Sequence, residues 1–234
     1  MRLGVVAAFD REAQMLNQAI GVAPRSESQL QIAYAGTGAN GARVAGDYLL
    51  NSGATALLSW GVAAALDHGP SPGGLLMPKT IIDADLREFA VAHDWHASLR
   101  EHLTDTFYVH TEPLAESRVV LNTPVQKRVL LRRSSAIAAD MESAALAALA
   151  CGANVPFIAI RAVSDTASAR VPCWLNGVID GVGRLSMANF IPLLLLHPTD
   201  WVAVARLALG FRAARATLMG VAQRIGASPA AVVE

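Results

Sequence analysis

Val155-Pro156-Phe157-Ile158-Ala159-Ile160-Arg161-Ala162-Val163 is an almost unbroken apolar run that ends on the polar pair Ser164-Asp165. A run without polar alternation, rich in strand-forming residues, reads as a strand buried on both faces. Ligands of open α/β sheets gather outside the carboxyl ends of such strands, which puts residues 164–165 at the functional edge. Asp165, flanked by Arg161 and Ser164, is either a carboxyl tuned by burial and charge to handle a proton or the N-cap of whatever follows.

Working outward, apolar runs alternate with alanine-rich stretches of helical period, the signature of an α/β domain. Strands are expected at Leu3 to Ala8, Gln31 to Ala35, Ala56 to Trp60 (ending at Gly61), Leu75 to Ile82, Arg118 to Leu121 and Ala136 to Ala139. Helices are expected at Asp10 to Ala19 with Asp10 as N-cap, Ala42 to Asn51, His96 to Leu103, Pro124 to Arg132, and Met141 to Ala150 closed by Gly152. Pro70 to Gly74 is a turn, and no internal repeat or linker divides the chain, so residues 1–234 are read as one domain. The fold class is therefore α/β: a central mixed, twisted sheet flanked by helices.

The formal net charge of the 234 residues is +0, so no basic field recruits nucleic acid and small discrete ligands fit better. Two cysteines, Cys151 and Cys173, make no disulfide framework or metal spacing; as buried thiols they suit the cytoplasm. Mean hydropathy is +0.37, yet no uninterrupted apolar run reaches the ~20 residues of a membrane span. His93, His96 and His102 do not match a zinc spacing and are read as solvated.

Several polar groups are individually ambiguous. Asp140-Met141-Glu142 opens a helix, where the dipole favours acids whether or not they bind anything, and Glu12 has the same explanation. Gly36-Thr37-Gly38 offers backbone N–H groups to an anion or a hydroxyl, but lacks the lysine of a P-loop and the third glycine of a dinucleotide fingerprint.

In order along the chain, Leu3 to Glu12, Gly36-Thr37-Gly38, Ser59-Trp60-Gly61-Val62-Ala63, Asp140-Met141-Glu142 and Ile160-Arg161-Ala162-Val163-Ser164-Asp165 resemble the purine nucleoside phosphorylase and nucleosidase superfamily. The likeness is greatest to its methylthioadenosine/S-adenosylhomocysteine nucleosidase branch and runs from Met1 to about Ala167. The resemblance implies cleavage of an N-glycosidic bond without metal or organic cofactor. Asp165 then looks like the general acid at purine N7, with Ser164 orienting it and Arg161 supporting it. Met141 and Glu142 resemble the ribose clamp, and Glu12 the base that activates water. Val120 and Leu121 fall on the base-binding strand, while Gly61, Thr37 and Gly38 complete the substrate-binding set. Protonation helps because a purine leaves poorly until its imidazole ring is protonated, an effect typically of ~10²–10⁴-fold. The developing oxocarbenium ion is stabilised by a nearby carboxylate.

Where phosphorylases of this superfamily carry phosphate-binding arginines, this chain has Asp10-Arg11 and Ser59, and Val62 replaces a serine. Water is thus the favoured nucleophile. Arg43 keeps inorganic phosphate open as an alternative co-substrate.

Beyond residue 170 the tail diverges, with Ile191-Pro192-Leu193-Leu194-Leu195-Leu196 and an amphipathic helix over Thr199 to Ile225 bearing Arg206, Arg212 and Arg215. This tail resembles the hopanoid-biosynthesis-associated branch, implying adenosylhopane as substrate, with methylthioadenosine or S-adenosylhomocysteine as runner-up. The basic amphipathic helix either rests on a membrane or packs on the domain or on a twin subunit. The expected protein is a cytoplasmic homo-oligomer, a dimer by the resemblance, with peripheral inner-membrane contact if the tail meets lipid. Its partner is a nucleoside, lipid-linked if the substrate is adenosylhopane. A nucleoside-binding protein without turnover is the competing class, against which the intact Glu12, Glu142 and Asp165 argue.

Overall fold

The computed structural model describes residues 2–7, 16, 30–34, 36–178 and 186–227. In chain order these form β1 (Leu3–Ala7), β2 (Leu30–Tyr34), α1 (Ala39–Asn51), β3 (Ala56–Ala65), β4 (Leu75–Leu76), β5 (Thr80–Ile82) and β6 (Glu88–Ala90). Then come α2 (His93–Thr104), β7 (Val109–His110), β8 (Leu114–Glu116), α3 (Pro124–Ser134), β9 (Ala138–Asp140), α4 (Ser143–Ala153), β10 (Phe157–Asp165), α5 (Met187–Leu196) and α6 (Trp201–Ala227). All ten strands among the described residues join one mixed sheet with helices against it, the α/β architecture expected from the sequence.

Every residue of β10 is buried, which is why its sequence needs no polar alternation. It runs parallel to β3, Phe157 opposite Leu57 and Arg161 opposite Gly61. The expectation that β3 ends at Gly61 fails because β10 and β9 supply ladder partners beyond the glycine, and the strand continues to Ala65. Leu75 to Ile82 is likewise two short strands rather than one. Residues 118–121 are not extended; the strand in that region is β8, which pairs with β5 and β9. Asp140 closes β9 instead of opening a helix, and α4 starts at Ser143 with Glu142 as N-cap. That helix ends on Asn154 in the left-handed conformation (φ 52°), not on Gly152. The expected helix over Asp10 to Ala19 lies outside the described residues except for Leu16.

Two devices lock the sheet to its surroundings. Helix α6 crosses β10 at Gly210, where a Cβ would come within 1.9 Å of the Ser164 carbonyl oxygen, so only glycine lets the backbones approach this closely. At the middle of the sheet, Arg161 is 1% exposed on an otherwise apolar strand. Its Nε donates to Asp140 Oδ2 at 2.6 Å, and its Nη2 to Ser59 Oγ at 2.6 Å and Ser143 Oγ at 3.1 Å. Ser143 also donates its backbone N–H to Asp140 Oδ1 at 3.2 Å. One guanidinium thus joins β10, β3, β9 and the start of α4.

Both cysteines are exposed rather than buried. His96 is buried rather than solvated, its Nε2–H donating to the Met77 carbonyl at 2.7 Å. Burial pushes this imidazole below the ordinary histidine range, keeping it a neutral core group.

Truncating one member of a buried ion pair leaves the other charge uncompensated, at a cost of about 3–5 kcal/mol. Arg161→Ala is therefore expected to lose about that much stability in denaturant melts, whereas the double replacement of Arg161 and Asp140 by apolar residues loses less than the two single changes added together.

Candidate active site

The sheet opens where two strands share one edge of β3. Strand β1 pairs along Ala56 to Trp60, and β9 takes the same strand up at Ala64 and Ala65. Gly61, Val62 and Ala63 lie between them, paired with β10 on the opposite edge. The exit of β9 at Asp140 and the Gly36-Thr37-Gly38 turn after β2 meet here: the Gly38 N–H donates to Glu142 Oε1 at 2.8 Å. Glycine suits that position, since Gly38 has φ 93° and hands its amide to a side chain instead of to its own helix.

Across β3, the register of β10 slips between Val163 and Asp165. Such a bulge re-aims the side chains at the end of a strand. The Ser164 hydroxyl donates to Asp165 Oδ1 at 2.7 Å and lies 3.2 Å from the Ala63 carbonyl. The other oxygen, Oδ2, accepts from the ammonium of Lys127, which also donates to the Thr166 carbonyl at 2.6 Å. Asp165 is 7% exposed and Lys127 0%.

Lys127 is the site group that sequence reasoning missed. In Pro124-Val125-Gln126-Lys127-Arg128, one more lysine beside arginines reads as solvated surface. The signal was nevertheless present: Lys127 stands at i, i+3, i+4 and i+7 with Leu130, Leu131 and Ser134, the inner face of α3. The helix is pinned by a capping box, Thr123 Oγ1 accepting from the Gln126 N–H at 3.2 Å and Gln126 Oε1 from the Thr123 N–H at 3.0 Å. Lys127 is thereby fixed at the end of its first turn.

The support expected from Arg161 for Asp165 is corrected by these contacts. Its guanidinium is spent on Asp140, Ser59 and Ser143, and the cation on Asp165 is Lys127. Arg161 instead bears on Glu142, through its charge. Burial and the neighbouring Asp140 charge raise the Glu142 carboxyl above the ordinary glutamate range, against the opposing pull of Arg161 and of the N–H groups of Gly38 and Met141.

Met141 is half-buried beside Glu142, Gly61 is buried in β3 and Thr37 is exposed at the turn. Val120 is 40% exposed on irregular backbone, not on a base-binding strand, and Leu121 packs against the small cluster of Leu66, Ala115, Ala136 and Ala139. Glu12, with Asp10 and Arg11, lies outside the described residues.

Residues 102–173, which carry Lys127, Glu142 and Asp165, match the model of the family described as the phosphorylase superfamily. No curated protein matches the chain. Among solved structures, 5'-methylthioadenosine/S-adenosylhomocysteine nucleosidase from Neisseria meningitidis, in complex with methylthio-immucillin-A, is similar with a TM-score of 0.73 at 16% identity, over 97% of this chain and 100% of that one. The Helicobacter pylori enzyme of the same name gives 0.70 at 15% identity over 99% and 97%. Futalosine hydrolase of Helicobacter pylori gives 0.69 at 17% over 99% and 96%. At such identities the likeness establishes architecture: this chain has the fold of these nucleosidases.

Proposed function

We propose that this chain is a nucleosidase that breaks the N-glycosidic bond of an adenosine-type nucleoside and releases adenine. The observation that carries this reading is the pair of carboxyls around the opening of β3. Asp165 stands on a bulge with each oxygen oriented by a donor, and Glu142 is held by a backbone N–H at the exit of β9. The superfamily match across both residues and the likeness to nucleosidases support it.

In this mechanism a proton passes from the Lys127 ammonium through Asp165 Oδ2 to N7 of the departing purine, leaving Lys127 neutral until solvent reprotonates it. Ser164 and Lys127 hold the carboxyl in place, and the Lys127 ammonium is a proton reserve one hydrogen bond away. Glu142 accepts hydrogen bonds from the ribose hydroxyls and offsets the charge that develops on the sugar. Water is the favoured nucleophile, activated by Glu12; phosphate is the alternative. Adenosylhopane is the favoured substrate through the hopanoid-branch resemblance of the tail, with methylthioadenosine or S-adenosylhomocysteine next, and the resemblance implies a homodimer.

Incubation with methylthioadenosine, adenosine or adenosylhopane is expected to release adenine and a free sugar without added phosphate. Asp165→Asn is expected to lower that rate at least ~10²-fold, the scale of a lost general acid. Binding without turnover for all three nucleosides would show a storage protein instead, and a sugar phosphate as product would make it a phosphorylase.

A charge-assisted hydrogen bond contributes about 1.5–3 kcal/mol. Lys127→Met is accordingly expected to lower kcat by roughly ten- to a hundredfold with little change in KM, because Lys127 contacts the acid and not the sugar. Lys127→Arg keeps the positive charge but does not give up a proton, so it should recover the melting temperature of the wild type without recovering kcat, which a purely structural role would not predict.

Glu142 accepts from ribose hydroxyls most strongly when ionised, and its pKa is raised, so it protonates at a higher pH than an ordinary glutamate. KM is thus expected to climb as pH falls, from a point above the usual value of about 4.3. Glu142→Gln should raise KM at neutral pH and flatten that acid limb in steady-state measurements.

A further inference from the structure

We propose that the bent arm formed by α5 and the outer half of α6 is a docking surface for an anionic phospholipid bilayer, lying on the membrane without crossing it.

The first observation is uncovered apolar area. Helix α5, Met-Ala-Asn-Phe-Ile-Pro-Leu-Leu-Leu-Leu, has no charged residue and none that is buried. Ile191, Leu195 and Leu196 are half or more exposed, as are Trp201, Val202 and Leu209 on the first turns of α6. Large exposed apolar side chains on two successive helices mark a surface that meets lipid or protein.

The second is that the arm is built rigidly. The two helices meet at a bend of 100°. Trp201 Nε1 donates across it to the Leu194 carbonyl at 2.7 Å, and Trp174 stacks on His197 with 12° between the rings. The inner half of α6 is anchored in the domain: Ala214, Leu218, Val221 and Ala222 are buried, and Thr217 Oγ1 donates to the Gly73 carbonyl at 2.7 Å. Neither helix alone is long and apolar enough to span a bilayer, and α6 cannot leave the core without unfolding it. These features fit an element lying in the interfacial plane.

The third is charge, and it selects the occupant. The chain is neutral overall, yet residues 201–227 hold Arg206, Arg212, Arg215 and Arg224 and no aspartate or glutamate. Arg206 and Arg212 are exposed and stand on the outer face with Val202 and Leu209, at helical spacings of three and four. Asp200, the residue just before α6, accepts from Trp174 Nε1 at 2.9 Å. A twofold contact with a second copy through this face would set arginine against arginine, with no carboxylate among the described residues of α5 and α6 to answer it. Phosphodiester headgroups supply the missing negative charge, and the acyl chains cover the leucines.

The test is flotation of the full chain with phosphatidylcholine vesicles and with vesicles containing phosphatidylglycerol. Binding is expected to the anionic vesicles only, to weaken with salt, and to fall about fivefold for each of Arg206→Gln and Arg212→Gln. Leu196→Glu is expected to abolish it without changing the melting temperature, since that side chain is exposed. Failure to float with anionic vesicles, or equal flotation of the wild type and Leu196→Glu, would overturn the proposal. So would light scattering that shows a dimer broken by Leu196→Glu in a protein that ignores vesicles, which would assign the face to a second copy. None of these outcomes depends on which nucleoside is cleaved.

Discussion

An arginine in the middle of an apolar strand is costly to bury until a carboxylate answers its charge. Here Asp140 answers Arg161, and with Ser59 and Ser143 the pair joins three strands and a helix start. The position of everything after β9 follows from it. Glu142 is two residues beyond Asp140, so its place beside Gly38 and the charge it feels are both set by this ion pair.

The sheet end therefore holds two cation–carboxylate pairs with different work to do. Arginine suits the scaffold, because its planar guanidinium reaches several acceptors in fixed directions. Lysine suits the neighbouring pair, where a compact ammonium bridges the Asp165 side chain and the Thr166 carbonyl. Burial of both lysine and aspartate keeps water from competing for those contacts. The opening in β3 lies between the two pairs because β1 and β9 do not meet along its edge.

How much of this was legible in the sequence differs from residue to residue. Residues 155–165 announced a buried strand with a polar mouth because burial on both faces leaves an unmistakable apolar run. The continuation of β3 past Gly61 was hidden, since ladder partners distant in sequence decide it. Residues 118–121 carry strand-forming side chains on irregular backbone, so tertiary context overrode propensity there. Arg161 was visible but its partner was not: Asp165 is close in sequence, whereas Asp140 is close in space. Lys127 was obscured by its arginine neighbours, although its spacing with Leu130, Leu131 and Ser134 already placed it inward. Val120 illustrates the opposite error, an apolar residue carried onto a strand that ends at Glu116.

The bare backbone at Gly210 has one more consequence. Trp201, at the tip of the exposed arm, and Gly210, pressed on the Ser164 carbonyl, belong to one unbroken helix and stand about 14 Å apart along its axis. A stiff rod with one end outside the domain rests, about a third of the way along, on the residue before Asp165. No side chain stands between helix and strand at that contact to cushion one against the other.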